Sequence, residues 1–203
     1  MKITTGFKSF DKRFGCLKSK EVTLIAGRPG MGKTIFLTNL GANASINNRV
    51  LFWSLENSKE YLGKKFNSPK MQINDNIELS KEELIKTILD NHIELLLIDY
   101  LQLLKISMIE LKKIAIDCNL CIILTSQLSR DLDYRDIKDR KPKLLDLQIT
   151  LNNNHVLTDF DNILYLYQES YYNVDCSEKC IELFSNIKSS KFLFGKNYGE
   201  LFN

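Results

Sequence analysis

Uninterrupted apolar runs of strand length recur at residues 22–26, 50–54, 95–98, 122–125 and 163–166. Runs that do not alternate with polar positions predict strands covered on both faces, the pattern of a parallel sheet held between helices. Helical spacing fills the gaps between the earlier runs. Ser80 stands three residues before Glu83, ahead of Leu84, Ile85, Ile88 and Leu89; Ser107 stands three before Glu110, ahead of Leu111, Ile114, Ala115 and Cys118. Each pair is a capping box in front of a one-sided apolar face, so each predicts a helix start. Both helices precede strand runs, as right-handed crossovers require. The alternation predicts an α/β fold, a mostly parallel central sheet flanked by helices.

Three stretches break the pattern. Residues 67–76 are polar around Pro69, and residues 130–143 alternate in charge up to Lys143; both are expected to be loops. The tail, residues 192–202, suggests a closing C-terminal β-hairpin around Lys196, Asn197 and Tyr198. No period of 20 to 50 residues recurs and no linker divides the chain, so residues 1–203 are expected to form a single domain. A chain of 203 residues buries roughly 70% of its unfolded surface, enough for one self-sufficient core.

With 44% hydrophobic and 26% charged residues, the composition excludes membrane-spanning, collagen-like and wholly disordered classes. The opening Met1-Lys2-Ile3-Thr4-Thr5-Gly6 carries no apolar segment of secretory type, so the five cysteines read as reduced thiols of a cytoplasmic protein. Cys118 with Cys121, and Cys176 with Cys180, have metal-like spacings. Cys118, however, falls on an apolar helix face and Cys121 opens a buried strand, which favours packing over zinc. The net charge of +3 is too small to advertise a polyanion partner by field alone.

Chemistry concentrates after the first long strand. Gly27-Arg28-Pro29-Gly30-Met31-Gly32-Lys33-Thr34 is a G-x-x-x-x-G-K-T sequence between a strand and a helical segment carrying Phe36, Leu37 and Leu40. Glycines let such a loop curl its N–H groups inward, and the following helix presents its positive end to the same anion. Lys33 is then placed to neutralise phosphates and Thr34 to ligate Mg²⁺. Asp99 ends an apolar strand, where it can hold the metal or cap a turn. Glu56 follows another strand, either facing the phosphates as a base or sitting in the first turn of a helix beginning near Ser58. Gln127 ends a fourth strand and offers an amide able to sense a phosphate.

In this order the blocks resemble the C-terminal motor domain of DnaB-type replicative helicases, a RecA-like P-loop NTPase fold that works as a hexameric ring. The resemblance is carried by Thr5-Gly6-Phe7 with Asp11, by residues 21–34, 52–58, 97–103 and 125–130, and by residues 159–167 with Tyr171 and Tyr172. It implies ATP and Mg²⁺ as ligands, ATP hydrolysis coupled to movement along single-stranded DNA with duplex unwinding, and a place in DNA replication. Residues Gly27 to Thr34 and Ile35 would bind the nucleotide, Thr34 and Asp99 the metal. Glu56 would be the catalytic base, acting with Lys33 and Gln127. Arg130, Arg135, Lys141 and Lys143 fall in the region leading to a DNA-facing loop. The partners implied are single-stranded DNA and either like subunits in a ring or other replication proteins, with no membrane.

Departures from the family pattern are also visible. The family carries a Lys and, two residues later, an Arg that reaches a neighbour's ATP site; here the stretch reads Asn186-Ile187-Lys188-Ser189-Ser190-Lys191, and no Arg follows Arg140. A trans arginine typically supplies ~10³ to 10⁵ in rate, so Lys188 or Lys191 must substitute or turnover is slow. Asp146-Leu147-Gln148 replaces an Asp-Leu-Arg, Asn152-Asn153-Asn154 is inserted, and the loop after Leu103 is short. The family's N-terminal collar and linker helix are expected to be lacking. These differences define an alternative: a nucleotide-binding module with weak or no helicase activity, acting as a regulator or partner of a replication protein. Tyr165, Tyr167, Tyr171 and Tyr172 are read as packing residues rather than a base-stacking platform.

Overall fold

The structure, a computed structural model, describes residues 1–65, 68, 70–136, 139–151, 157–173, 180–185 and 189–193. In chain order the elements are β1 (Lys2–Ile3), α1 (Lys8–Phe14), β2 (Leu17–Lys18), β3 (Val22–Gly27), α2 (Lys33–Ala44), β4 (Val50–Ser54), α3 (Lys59–Lys65) and β5 (Met71–Asn74). They continue as α4 (Lys81–Asp90), β6 (Leu95–Asp99), α5 (Met108–Asp117), β7 (Cys121–Gln127), α6 (Leu144–Leu151), β8 (Asn162–Tyr167), β9 (Cys180–Phe184) and β10 (Ser189–Leu193). An eight-stranded sheet runs in the order β10-β9-β8-β3-β7-β6-β4-β5. Strands β8 through β5 are parallel, and β9 and β10 add an antiparallel end.

The five apolar runs are the central strands, and their burial explains the lack of alternation. Successive residues of β6 enter opposite cores: Leu96 and Ile98 join Trp53, Leu124 and the helices α4, α5 and α6, while Leu95 and Leu97 join Phe52, Ile123 and α2. Burying a side chain such as Phe36 or Leu97 contributes about 1.5–3 kcal/mol. Both predicted capping boxes form. Ser80 N–H donates to Glu83 at 2.9 Å and Glu83 N–H donates back to Ser80 Oγ at 3.2 Å, which holds the Glu83 carboxyl below the usual carboxylate range. Ser107 and Glu110 repeat the arrangement at 3.2 and 3.3 Å.

Several expectations are corrected. Residues 67–76 are not all loop, because Met71–Asn74 pairs in parallel with β4 and forms an edge strand. Only Met71 of that strand is buried, so its sequence carries little apolar signal. Residues 130–143 contain a 3₁₀ helix over Arg130–Tyr134, anchored by buried Leu132 and capped by Ser129, whose side chain accepts the Asp131 N–H at 3.2 Å. Strands β9 and β10 pair antiparallel; the hairpin expected around Lys196, Asn197 and Tyr198 lies outside the described residues, as do Asn152 to Asn154.

The first residues of the chain also pack on the sheet. Asp11 Oδ1 accepts from Thr5 N at 3.0 Å and Thr5 Oγ1 at 2.9 Å, and Phe7 stacks on Phe36 of α2 with centroids 5.0 Å apart. Gly6 has φ +77°, and a Cβ there would lie 2.5 Å from Asn43. Glycine is therefore demanded by both backbone and space.

Candidate nucleotide and catalytic site

The C-terminal ends of β3, β4, β6 and β7 converge on a cavity of about 370 Å³. Its floor is the turn between β3 and α2. Gly30 and Gly32 adopt φ +79° and +83°; a Cβ on the first would meet the Tyr171 ring at 3.0 Å, and one on the second would meet Ile181 at 3.0 Å. These glycines let the backbone turn so that α2 starts directly beneath the cavity, with its unsatisfied N-terminal amides and positive dipole end facing it. Met31 anchors the turn from below, buried, its sulfur accepting the Gln168 N–H at 3.3 Å.

Lys33 reaches across the loop and donates to the Arg28 carbonyl at 3.0 Å. Burial pushes its amine down to about 8, against the attraction of Asp99 and Glu56. Asp99 is 1% exposed at the end of β6. Register places it beside Thr125, since Ile98 pairs with Leu124 on β7, and beside Ser54 on β4. Thr34 Oγ1 donates to Asp99 Oδ2 at 2.6 Å, and Thr125 Oγ1 donates to the other oxygen. Among the described residues no cation forms an ion pair with this carboxylate; hydroxyls alone satisfy it. A hydroxyl and a carboxylate oxygen side by side form a hard, all-oxygen donor set, which fits Mg²⁺.

Glu56 lines the same cavity, ahead of the first turn of α3, whose Lys59 N–H is capped instead by Asp75 at 2.8 Å. Glu56 is itself exposed and lies outside α3. Gln127 lines the cavity too, and its main chain is fixed by Gln102, which donates to the Gln127 carbonyl at 2.9 Å and accepts its N–H at 3.2 Å. Pro29, Gly30, Gly32, Thr34 and Ile35 line the cavity as well. Gly27, Arg28 and Met31 do not. Gly27 packs against β8, where a Cβ would sit 3.0 Å from the Leu166 carbonyl, and the buried Arg28 side chain points to Asp133.

The candidate DNA residues stand apart from this cavity. Arg130 is exposed. Arg135 grips Asp146 through both terminal nitrogens, Lys141 pairs with Glu182 at 2.8 Å, and Lys143 lies 3.6 Å from Asp139. Lys191 sits on β10 opposite Glu182, its side chain outside the described residues along with the whole of Lys188. Thr125, Gln102, Asn57 and Tyr61 also build the site. Their roles were not read from the sequence, because strand register and loop return, rather than any local motif, bring them in. Cys121 and Cys118 pack as expected, and burial pushes the Cys121 thiol up to about 12.

A glycine turn feeding a helix, with a lysine inside it and a buried strand-end acid beside the next hydroxyl, defines a P-loop NTPase domain of RecA-like fold. The family described as the DnaB-like helicase C-terminal domain matches residues 2–88 and 63–197, and the chain belongs to that family. Curated relatives include a probable replicative DNA helicase of Trieres chinensis, 29% identical across 84% of this chain and 48% of its own length. The replicative DNA helicase DnaB of Pasteurella multocida is 27% identical across 87% of this chain and 48% of its own. The chain spans about half the length of the curated relatives it matches. Among solved structures, one described as an ATPase domain superimposes with TM-score 0.81 at 25% identity, covering 99% of this chain and 90% of that one. A DnaB-like replicative helicase, solved in a study of its interactions with primase, gives TM-score 0.82 at 25% identity, covering 97% of this chain and 60% of that one. A KaiC-like protein of Pyrococcus horikoshii shares the fold at TM-score 0.67 and 14% identity.

Proposed function

We propose that this chain binds ATP with Mg²⁺ and hydrolyses it to drive movement along single-stranded DNA, as the motor part of a replicative helicase. The observation that carries this reading is the convergence of Lys33, Thr34, Asp99, Glu56 and Gln127 on one cavity at the carboxyl ends of the strands. Amides at the start of α2 take the phosphate oxygens, and the Lys33 ammonium leaves the Arg28 carbonyl for the terminal phosphates. Thr34 Oγ1 and Asp99 hold Mg²⁺, which supplies charge neutralisation of the phosphate oxygens when bound. Thr125 orients the Asp99 carboxylate. Glu56 accepts the proton of the attacking water. Gln127 reports the presence of the terminal phosphate to the segment that follows β7.

Arg130 with Arg135, Lys141 and Lys143 supplies backbone contacts to the strand, the last three by exchanging their present acids for phosphates. Like subunits form a ring in which Lys188 or Lys191 of one reaches the nucleotide of the next; other replication proteins dock on that ring. The compartment is the cytoplasm. Among the described residues no helix is long and apolar enough to cross a membrane.

Phosphate release measured with and without single-stranded oligonucleotide tests this reading. Hydrolysis is expected to rise with the oligonucleotide and to fall by roughly 10³-fold in Lys33→Ala. Turnover unchanged in Lys33→Ala overturns the site, and hydrolysis indifferent to DNA overturns the motor. Light scattering with nucleotide and oligonucleotide present tests the ring, which predicts a mass several times that of one chain.

A further inference from the structure

Arg28 stands inside the phosphate loop, yet its side chain leaves the cavity. It is 3% exposed, and its guanidinium meets a residue 105 positions later: Nε donates to Asp133 Oδ1 at 3.0 Å, and Nη2 pairs with the other oxygen of the same carboxylate. A buried guanidinium cannot shed its proton, so it requires an anionic partner. Asp133 belongs to the 3₁₀ turn Arg130–Tyr134, directly downstream of Gln127. Tyr172 donates to Asp133 Oδ1 at 2.9 Å, its ring lies under the Arg140 guanidinium at 4.9 Å, and its edge contact with Tyr171 leads back to Gly30.

The main chain of Arg28 contributes the other half of the argument. Its carbonyl accepts the Lys33 ammonium, the charged side chain in the loop that an incoming phosphate would claim. One residue thus touches the ligand-responsive lysine through its backbone and the 130–136 turn through its side chain. The lysine rests on the carbonyl here, and a bound anion would draw it away, which would supply the two-state element a coupling between sites requires.

We propose that Asp133 is a positioning residue that ties the phosphate loop to residues 130–136, so that occupancy of the loop by a triphosphate resets the segment carrying Arg130 and Arg135. This rests on the nucleotide reading above. Asp133 touches no part of the cavity; it acts through Arg28. The link gives the 130–136 turn a route to the nucleotide separate from Gln127.

Hydrogen exchange of the full chain, with and without a nonhydrolysable ATP analogue, tests the link. In the native protein the analogue is expected to protect residues 27–34 and to change exchange in residues 130–136 by roughly fivefold. Asp133→Asn is expected to keep the protection at 27–34 and lose the response at 130–136, and Asp133→Glu to restore it. Arg28→Gln, which removes the same ion pair from the other side, is expected to lose the response at 130–136 while protection at 27–34 persists, and it decides the matter should Asp133→Asn fail to fold. A full response at 130–136 in either Asp133→Asn or Arg28→Gln overturns the proposal, as does a native protein whose turn ignores the analogue while 27–34 is protected. Absence of protection at 27–34 in the native protein overturns the nucleotide reading, and the link with it.

Discussion

The two ends of the parallel strands handle charge in opposite ways. At the amino ends three acids, Asp161, Glu21 and Glu94, each have a donor. Asp161 accepts the Val22 N–H at 2.7 Å and pairs with Lys112, Glu21 pairs with Lys18 at 3.1 Å, and Glu94 accepts the Arg49 N–H at 2.9 Å. At the carboxyl ends Asp99 has only hydroxyls, Lys33 only a carbonyl, and Glu56 no ion pair among the described residues. Asp99 is buried with no ion pair among the described residues, an arrangement costly to the fold, so its persistence marks a place where further positive charge arrives with a ligand. The first end is finished by folding, and the second by binding.

That contrast can be broken at either end. The largest effect is expected at Glu56, where Glu56→Gln should cut hydrolysis by about 10² to 10⁴-fold while a fluorescent ATP analogue binds with little change, read by phosphate release and fluorescence titration. Loss of binding in step with turnover would move Glu56 from proton acceptor to binding residue. Next comes Thr125→Val, which deletes one of the two hydroxyls on Asp99. It should lower turnover roughly tenfold and raise the Mg²⁺ concentration needed for half-maximal rate. At the amino end, Asp161→Ala should lower stability by about 1–2 kcal/mol in urea unfolding and leave turnover unaltered. Smallest of all is the expected reactivity of Cys121. With its thiol pushed up to about 12 by burial, it stays protonated at pH 8, and a thiol reagent should leave it unlabelled until the protein unfolds.

What the sequence made readable follows the same division. The five central strands could be placed from their apolar runs because both of their faces are covered, and the phosphate loop because its glycine spacing is local. Asp99 and Glu56 could be placed because each follows a run directly. The edge strand Met71–Asn74 was hidden, since hydrogen bonding to β4 rather than apolar content holds it. Helix α1 contributes a single buried residue, Phe10, and its period is too short to detect. Thr125 escaped notice because only the β6–β7 register brings it to Asp99. The partner of Arg28 was likewise beyond reach, since no local pattern joins a loop residue to an acid more than a hundred positions away. The charged segment ending at Lys143 is a related case: three of its four candidate DNA cations are already engaged with acids, which residue counts alone do not reveal.

The stack of Phe7 on Phe36 has a thermal consequence. Helix α2 is aimed by a wedge built from a two-residue ribbon, β1 with β2, and one short helix, the kind of small unit that opens at little free-energy cost compared with the central sheet. On gentle warming, affinity for anions should therefore fade some degrees before circular dichroism registers any melting, and crowding that wedge from outside would detune the loop without touching a single phosphate-binding atom.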